Sequence, residues 1–207
     1  MSATNTAPHP TANQPAANQP VGGPAERLAR RPLPGDLGTD AQIARIIRVD
    51  QAGEYGAARI YAGQLSVLGK SPVGATIRHM EEQERVHLDT FNTMMVERRV
   101  RPTALQPLWK LAGYALGAAT ALMGERAAMA CTVAVEEAID AHYAEQAERL
   151  GPGEAELKAT IEKFRAEELE HRDIGIAHDA ELTTGYPVLY TLIKAGTRAV
   201  IWVAERV

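Results

Sequence analysis

A chain of 207 residues is long enough to enclose a real hydrophobic core, and a formal net charge of −4 offers no basic stripe for nucleic acid. The single cysteine, Cys131, excludes an intramolecular disulfide and a thiolate-rich metal site, and it fits a reducing compartment. It sits in "AMACTVAV", where a small thiol among apolar residues reads as buried.

The first 25 residues contain no Asp, Glu, Lys or Arg and are rich in Pro, Ala, Asn and Thr. Such a tract cannot bury enough apolar surface to fold, so residues 1–35 are expected to be a disordered low-complexity tail, and residues 36–207 the folded domain. The tail has neither the apolar core of a secretory signal nor the Arg-rich pattern of a mitochondrial presequence, which points to a bacterial cytoplasmic setting.

From Asp40 onward the apolar spacing is helical, and long alternating β-branched runs are missing. A first helix runs to Gly69, with Asp40 as its cap and Ile43, Ile47, Ala58, Tyr61 and Leu65 on its apolar side. A second opens with Ser71 as its cap and Pro72 in its first turn, and ends before Pro102. A third includes "AAMACTVAVEEAIDAHYAEQAERL" and stops near "GPG"; a fourth is "EAELKATIEKFRAEELEHRDIGIAHDAEL". Four long helices with short connections predict an all-α bundle. Two apolar additions stand out. Leu111–Met123 is a connector of 13 uncharged residues, too short to span a bilayer, which takes about 20. A last helix follows Pro187, with Lys194, Arg198 and Arg206 among Leu, Ile, Val and Trp. The connector reads either as a buried core helix or as a segment touching lipid, with the three basic residues reaching head groups and Trp109 and Trp202 suiting an interface.

Glu-x-x-His occurs twice, as Glu84 with His87 and as Glu168 with His171. Chance placement of this chain's glutamates and 6 histidines gives about half of one such match. Each motif has an upstream carboxylate at nearly equal distance, Glu54 30 residues before Glu84 and Glu136 32 before Glu168. On a helix, residues i and i+3 share a face, so each motif aims a carboxylate and an imidazole at one point. The upstream glutamates lie on apolar helix faces, where a lone carboxylate is costly unless paired or bound to metal. Glu136 shares a face with Val133 and Tyr143, whereas Glu137 points about a hundred degrees away. Glu54, Glu84, His87, Glu136, Glu168 and His171 therefore match the template of ferritin-like di-iron or di-manganese carboxylate proteins. Carboxylate and imidazole without thiolate suit iron, manganese or, less well, zinc, and open positions for dioxygen favour iron. Asp50, Asp173 and His178 are candidate outer partners, His178 reading rather as surface like His79; Tyr143 either hydrogen-bonds in the cavity or packs.

The stretches "RVDQAGEYGAARIYAGQ", "EEQERVHL", "RPTALQPLWKLAGYALGAATALMGERAAMACTVAVEEAIDAHY" and "FRAEELEHRDIGIAHDAEL" resemble the demethoxyubiquinone hydroxylase family over roughly residues 40–207. The resemblance implies a ferritin-like four-helix bundle with an added apolar connector and C-terminal helix. It implies a di-iron monooxygenase, with two iron ions, dioxygen as co-substrate and an external two-electron reductant, that hydroxylates the ring of a polyprenyl demethoxyubiquinone or its quinol. The family's iron ligands fall on Glu54, Glu84, His87, Glu136, Glu168 and His171, the first glutamate after "CTVAV" being the ligand. The same resemblance implies a peripheral place on the cytoplasmic side of a bacterial cell membrane and work within ubiquinone biosynthesis, with a pathway complex as a partner. An exposed connector would also favour homo-oligomers. Two rival readings keep part of the pattern. Iron storage or peroxide reduction keeps the metal but lacks rubredoxin-like thiolate pairs and leaves the connector without a role; a metal-free quinone-binding module leaves six inward polar residues unexplained.

Overall fold

The computed structural model describes residues 37–206, so the tail expected over residues 1–35 lies outside them. The described residues form an all-α, ferritin-like bundle without strands. Its helices are α1 (Thr39–Leu68), α2 (Gly74–Glu97), α3 (Gln106–Leu122), α4 (Glu125–Arg149), α5 (Ala155–Ala177) and α6 (Tyr186–Ala204). The four-helix core consists of α1, α2, α4 and α5, with α3 laid on α1 and α6 on α4.

Two helix starts differ from the sequence reading. Thr39 opens α1 after Gly38, so Asp40 falls in the first turn, where its charge faces the positive end of the helix dipole. Ser71 does not cap α2; its hydroxyl donates to the Leu68 carbonyl at 2.7 Å and closes off α1 instead. The connector is helical as α3 and is partly buried and partly exposed. Trp109 is buried against Val49, Ala52 and Ala204, while Leu108, Leu111 and Leu122 on other sides are exposed. No described helix is long and apolar enough to cross a membrane.

Small residues set the layout. In α4, "AAMACTVAV" is buried along its whole length, because alanine-sized side chains let neighbours close in on every side. Cys131 is fully buried there, and burial pushes its thiol up to about 12. Between α1 and α3 the approach is backbone to backbone. A Cβ on Gly117 would stand 1.9 Å from the Ile60 carbonyl oxygen, and one on Gly63 would stand 2.2 Å from that of Tyr114. The outer helix α6 is tied to α4 by Lys194 and Tyr190, which both donate to Glu137. Lys194 thus faces the bundle rather than lipid head groups.

Overpacking the α1–α3 approach is expected to be severe. Gly117→Val should destabilise the fold by about 3 kcal/mol or more. Gly196→Ala on α6, where nothing lies within 4 Å of the new Cβ, should stabilise it by about 0.5–1 kcal/mol. Chemical denaturation of both variants checks the contrast.

Candidate metal centre

Each core helix delivers its polar residues into one interior volume. α1 brings Glu54, α2 brings Glu84 and His87, α4 brings Glu136, and α5 brings Glu168 and His171. All six are at most 1 % exposed. Their donor atoms fall into two overlapping groups, Glu54–Glu84–His87–Glu168 and Glu84–Glu136–Glu168–His171, each with its atoms within 4.8 Å of one another. Glu84 and Glu168 belong to both groups; Glu54 and Glu136 are terminal.

Both imidazoles turn Nδ1 inward. His87 Nδ1 lies 3.1 Å from Glu168 and 3.5 Å from Glu54. His171 Nδ1 lies 3.1 Å from Glu84 and 3.2 Å from Glu168. The Nε2 atoms face outward, His87 to the Glu167 carboxylate at 2.7 Å and His171 to the Gln83 amide oxygen at 3.0 Å. The terminal carboxylates are held by phenols: Tyr61 donates to Glu136 at 2.8 Å, and Tyr143 donates to Glu54.

Left to themselves, these side chains share protons unequally. Burial, then the charge of Glu168 and the other carboxylates, holds Glu84 and Glu136 well above the ordinary carboxylate range. Burial also pushes Glu168 up, but the imidazoles of His171 and His87 outweigh it and bring it down to about 2. For His87, burial opposes the charged form, and the carboxylates of Glu168 and Glu54 override it, raising the group to about 11.

The donor set fits a pair of dications. Both oxygens of Glu84 and of Glu168, Oε2 of Glu54 and of Glu136, and Nδ1 of both histidines have no hydrogen-bond partner, although all are buried. Such orphaned groups cost several kcal/mol each unless something else satisfies them. Four carboxylates balance the charge of two divalent ions, and carboxylate with imidazole is the chemistry of iron and manganese sites.

An apolar cavity of about 460 Å³ lies beside the centre, between α1, α3, α4 and α6. Gly53, Ile60, Leu116 and Ile193 line it, and Leu192 and Val200 stand at its exposed rim. Leu116 therefore faces the cavity. A separate gap of about 20 Å³ shares Gly53, Ile139 and Ile201 with it and is also bounded by Glu54 and Tyr143.

Of the outer candidates read from the sequence, Tyr143 is in contact with a ligand candidate, Glu54. Asp50 is buried but accepts from Gln146 at 2.7 Å. Asp173 pairs with Arg172, and His178 lies 3.2 Å from Glu125. Sequence reasoning misses Tyr61, Gln83 and Glu167. The one available signal is that Gln83 and Glu167 each immediately precede a motif glutamate.

If Glu84 and Glu168 bridge, Glu84→Ala or Glu168→Ala should abolish binding of both ions, whereas Glu54→Ala or Glu136→Ala should leave the ion of the other position. Metal analysis after anaerobic loading with ferrous ion and gel filtration measures this, and equal losses from all four variants would contradict the sharing.

The sequence model of the family described as "Ubiquinone biosynthesis protein COQ7" matches residues 41–204. The chain is 58 % identical over 182 residues to a protein of Rhodospirillum rubrum named 3-demethoxyubiquinol 3-hydroxylase, covering 87 % of this chain and 86 % of that one. It is 56 % identical over 170 residues to the human NADPH-dependent 3-demethoxyubiquinone 3-hydroxylase, mitochondrial, covering 80 % and 78 %. It is 46 % identical over 189 residues to the 5-demethoxyubiquinone hydroxylase, mitochondrial, of Saccharomyces cerevisiae, covering 82 % and 81 %.

Proposed function

Because the chain belongs to the ubiquinone biosynthesis protein COQ7 family, we propose that it is a di-iron monooxygenase that hydroxylates the ring of a polyprenyl demethoxyubiquinol at a membrane surface. The observation that carries this reading is the pair of overlapping donor groups, with their orphaned buried atoms, beside an apolar cavity. Glu54, Glu84, His87 and Glu168 would hold one iron; Glu84, Glu136, Glu168 and His171 would hold the other.

When bound, the iron pair supplies the reduction of dioxygen by two external electrons, one oxygen atom going to the ring and the other to water. The rest falls to the protein. Tyr61 and Tyr143 hold the terminal carboxylates in place through their hydroxyls. The cavity volume lies within the usual range for small-molecule sites, about 300–1,000 Å³, and suits a substituted benzoquinol ring with the start of an isoprenoid tail. Its apolar walls exclude water from the reacting ring. The human relative is named NADPH-dependent, and a nicotinamide nucleotide is the natural electron source to try here.

A polyprenyl quinol partitions into lipid, so the enzyme must meet it there. The exposed Leu108, Leu111 and Leu122 of α3, and Val188, Leu192 and Trp202 of α6, support a peripheral contact with the bilayer.

Turnover under air tests the chemistry. Protein loaded with ferrous iron and given a reductant and a short-chain demethoxyquinol should yield a product carrying one added oxygen by mass spectrometry, and Glu168→Ala should yield none. Peroxide consumption without quinol hydroxylation would favour storage or peroxide reduction instead. For the membrane contact, Leu111→Glu with Leu122→Glu should weaken partitioning onto liposomes about tenfold or more, since each leucine withdrawn from lipid forfeits up to about 1.5–3 kcal/mol. Unchanged co-sedimentation would remove α3 from the interface.

A further inference from the structure

We propose that the two metal positions are unequal: Glu167 makes the position built on His87 bind its ion first and more tightly, while the position built on His171, supported by Gln83, is the weaker one. This rests on the ligand reading above and adds positioning residues to it.

The geometry is a reciprocal exchange. Gln83 and Glu167 each sit one residue before a motif glutamate, and each reaches across to the other motif's histidine. Glu167 of α5 meets Nε2 of His87 at 2.7 Å, and Gln83 of α2 meets Nε2 of His171 at 3.0 Å. With a metal on Nδ1, each imidazole would carry its remaining proton on Nε2 and donate it to the facing oxygen of Glu167 or Gln83.

Most other contacts are matched on the two sides. Each terminal carboxylate has one tyrosine, Tyr143 on Glu54 and Tyr61 on Glu136. Glu84 and Glu168 contribute to both donor groups. The partners of the histidines break this balance. A carboxylate that accepts Nε2–H draws the proton towards itself and makes Nδ1 a stronger donor to a metal; a neutral amide oxygen does so far less. Lys163 Nζ, 3.7 Å from the other oxygen of Glu167, adds positive charge on the solvent side and keeps the carboxylate oriented.

Ring packing adds to the difference. His87 stacks on Phe164, with centroids 4.0 Å apart and planes inclined by 27°. His171 meets Tyr61 only edge-on, at 6.0 Å. The clamped, carboxylate-backed imidazole is thus the better preorganised donor. It belongs with Glu54, which borders the small gap beside the apolar cavity. The more tightly held ion is therefore the one beside Glu54, and the exchangeable one is the one beside Glu136.

The test is anaerobic calorimetry of ferrous ion binding to the full-length protein, which needs no turnover. Shared carboxylates separate two binding steps even in a symmetric site, so the variants decide the matter. His87→Ala should remove the tighter step, and His171→Ala should leave it. Glu167→Gln, which keeps the shape of the side chain and loses its charge, should weaken the first step by roughly 10–100-fold. Gln83→Glu should strengthen the second, an effect that a merely structural role would not produce. In the double exchange Gln83→Glu with Glu167→Gln, the tighter step should pass to the His171 position and be lost on His171→Ala. A first step unmoved by Glu167→Gln, or a tighter step that survives His87→Ala, overturns the inference while leaving the ligand set standing. Absence of any binding by the unaltered protein overturns the ligand set itself. Circular dichroism of each metal-free variant identifies any that fail to fold, and the Gln83→Glu gain cannot arise from misfolding.

Discussion

Four carboxylates crowded into one buried volume repel one another, and the rest of the molecule is arranged around that fact. Each has lost its water, and two are pushed well above their ordinary proton affinity by burial and mutual charge. A single helix could not present four such groups to one point. Four helices can, because each needs to bring only one or two side chains and can seal the remainder of its face with apolar neighbours. Phe91, Phe164, Ile161 and Leu157 form part of that seal. Their contacts hold together a centre that, without cations, works against folding.

The adjacent residues Glu136 and Glu137 show how tightly inside and outside are joined. Glu136 turns into the centre, while Glu137 turns out to receive Lys194 and Tyr190 of α6. The lysine and the tyrosine draw Glu137 below the ordinary carboxylate range, although its partial burial pulls the other way. The helix that lines one side of the apolar cavity is therefore anchored one residue from a ligand candidate. Cavity and centre therefore share their scaffold.

What could be read from the sequence followed local periodicity. Glu-x-x-His is legible because three residues along a helix return to the same face, and the upstream glutamates stand out because "CTVAV" and the Ile47–Ala58–Leu65 face are no place for an unpaired charge. The helices themselves were legible for the same reason. What could not be read are contacts that depend on how two helices are rotated and staggered. Glu167 looks like one more charge in an acidic run, and Gln83 like a surface amide; only the crossing of α2 and α5 reveals that each serves the opposite histidine. Tyr61 counts as an apolar position by spacing, and it is indeed buried, but its hydroxyl has a partner 75 residues away. Trp109 suits an interface by composition, whereas the closeness of α3 to α1 places it inside.

That closeness also has a mechanical side. Ordinary helices meet through a layer of side chains, which can change rotamer and absorb a push. At Gly63 and Gly117 there is no such layer, and the two backbones touch directly. A force applied to the outer face of α3, where Leu111 and Leu122 project, has no cushion to dissipate it before it reaches α1. The helix that carries Glu54 and the helix that presents those leucines are therefore in direct backbone contact at these points. The outer face of α3 can exchange one apolar residue for another, while Gly113 and Gly117 on its inner face have no room for a single additional carbon.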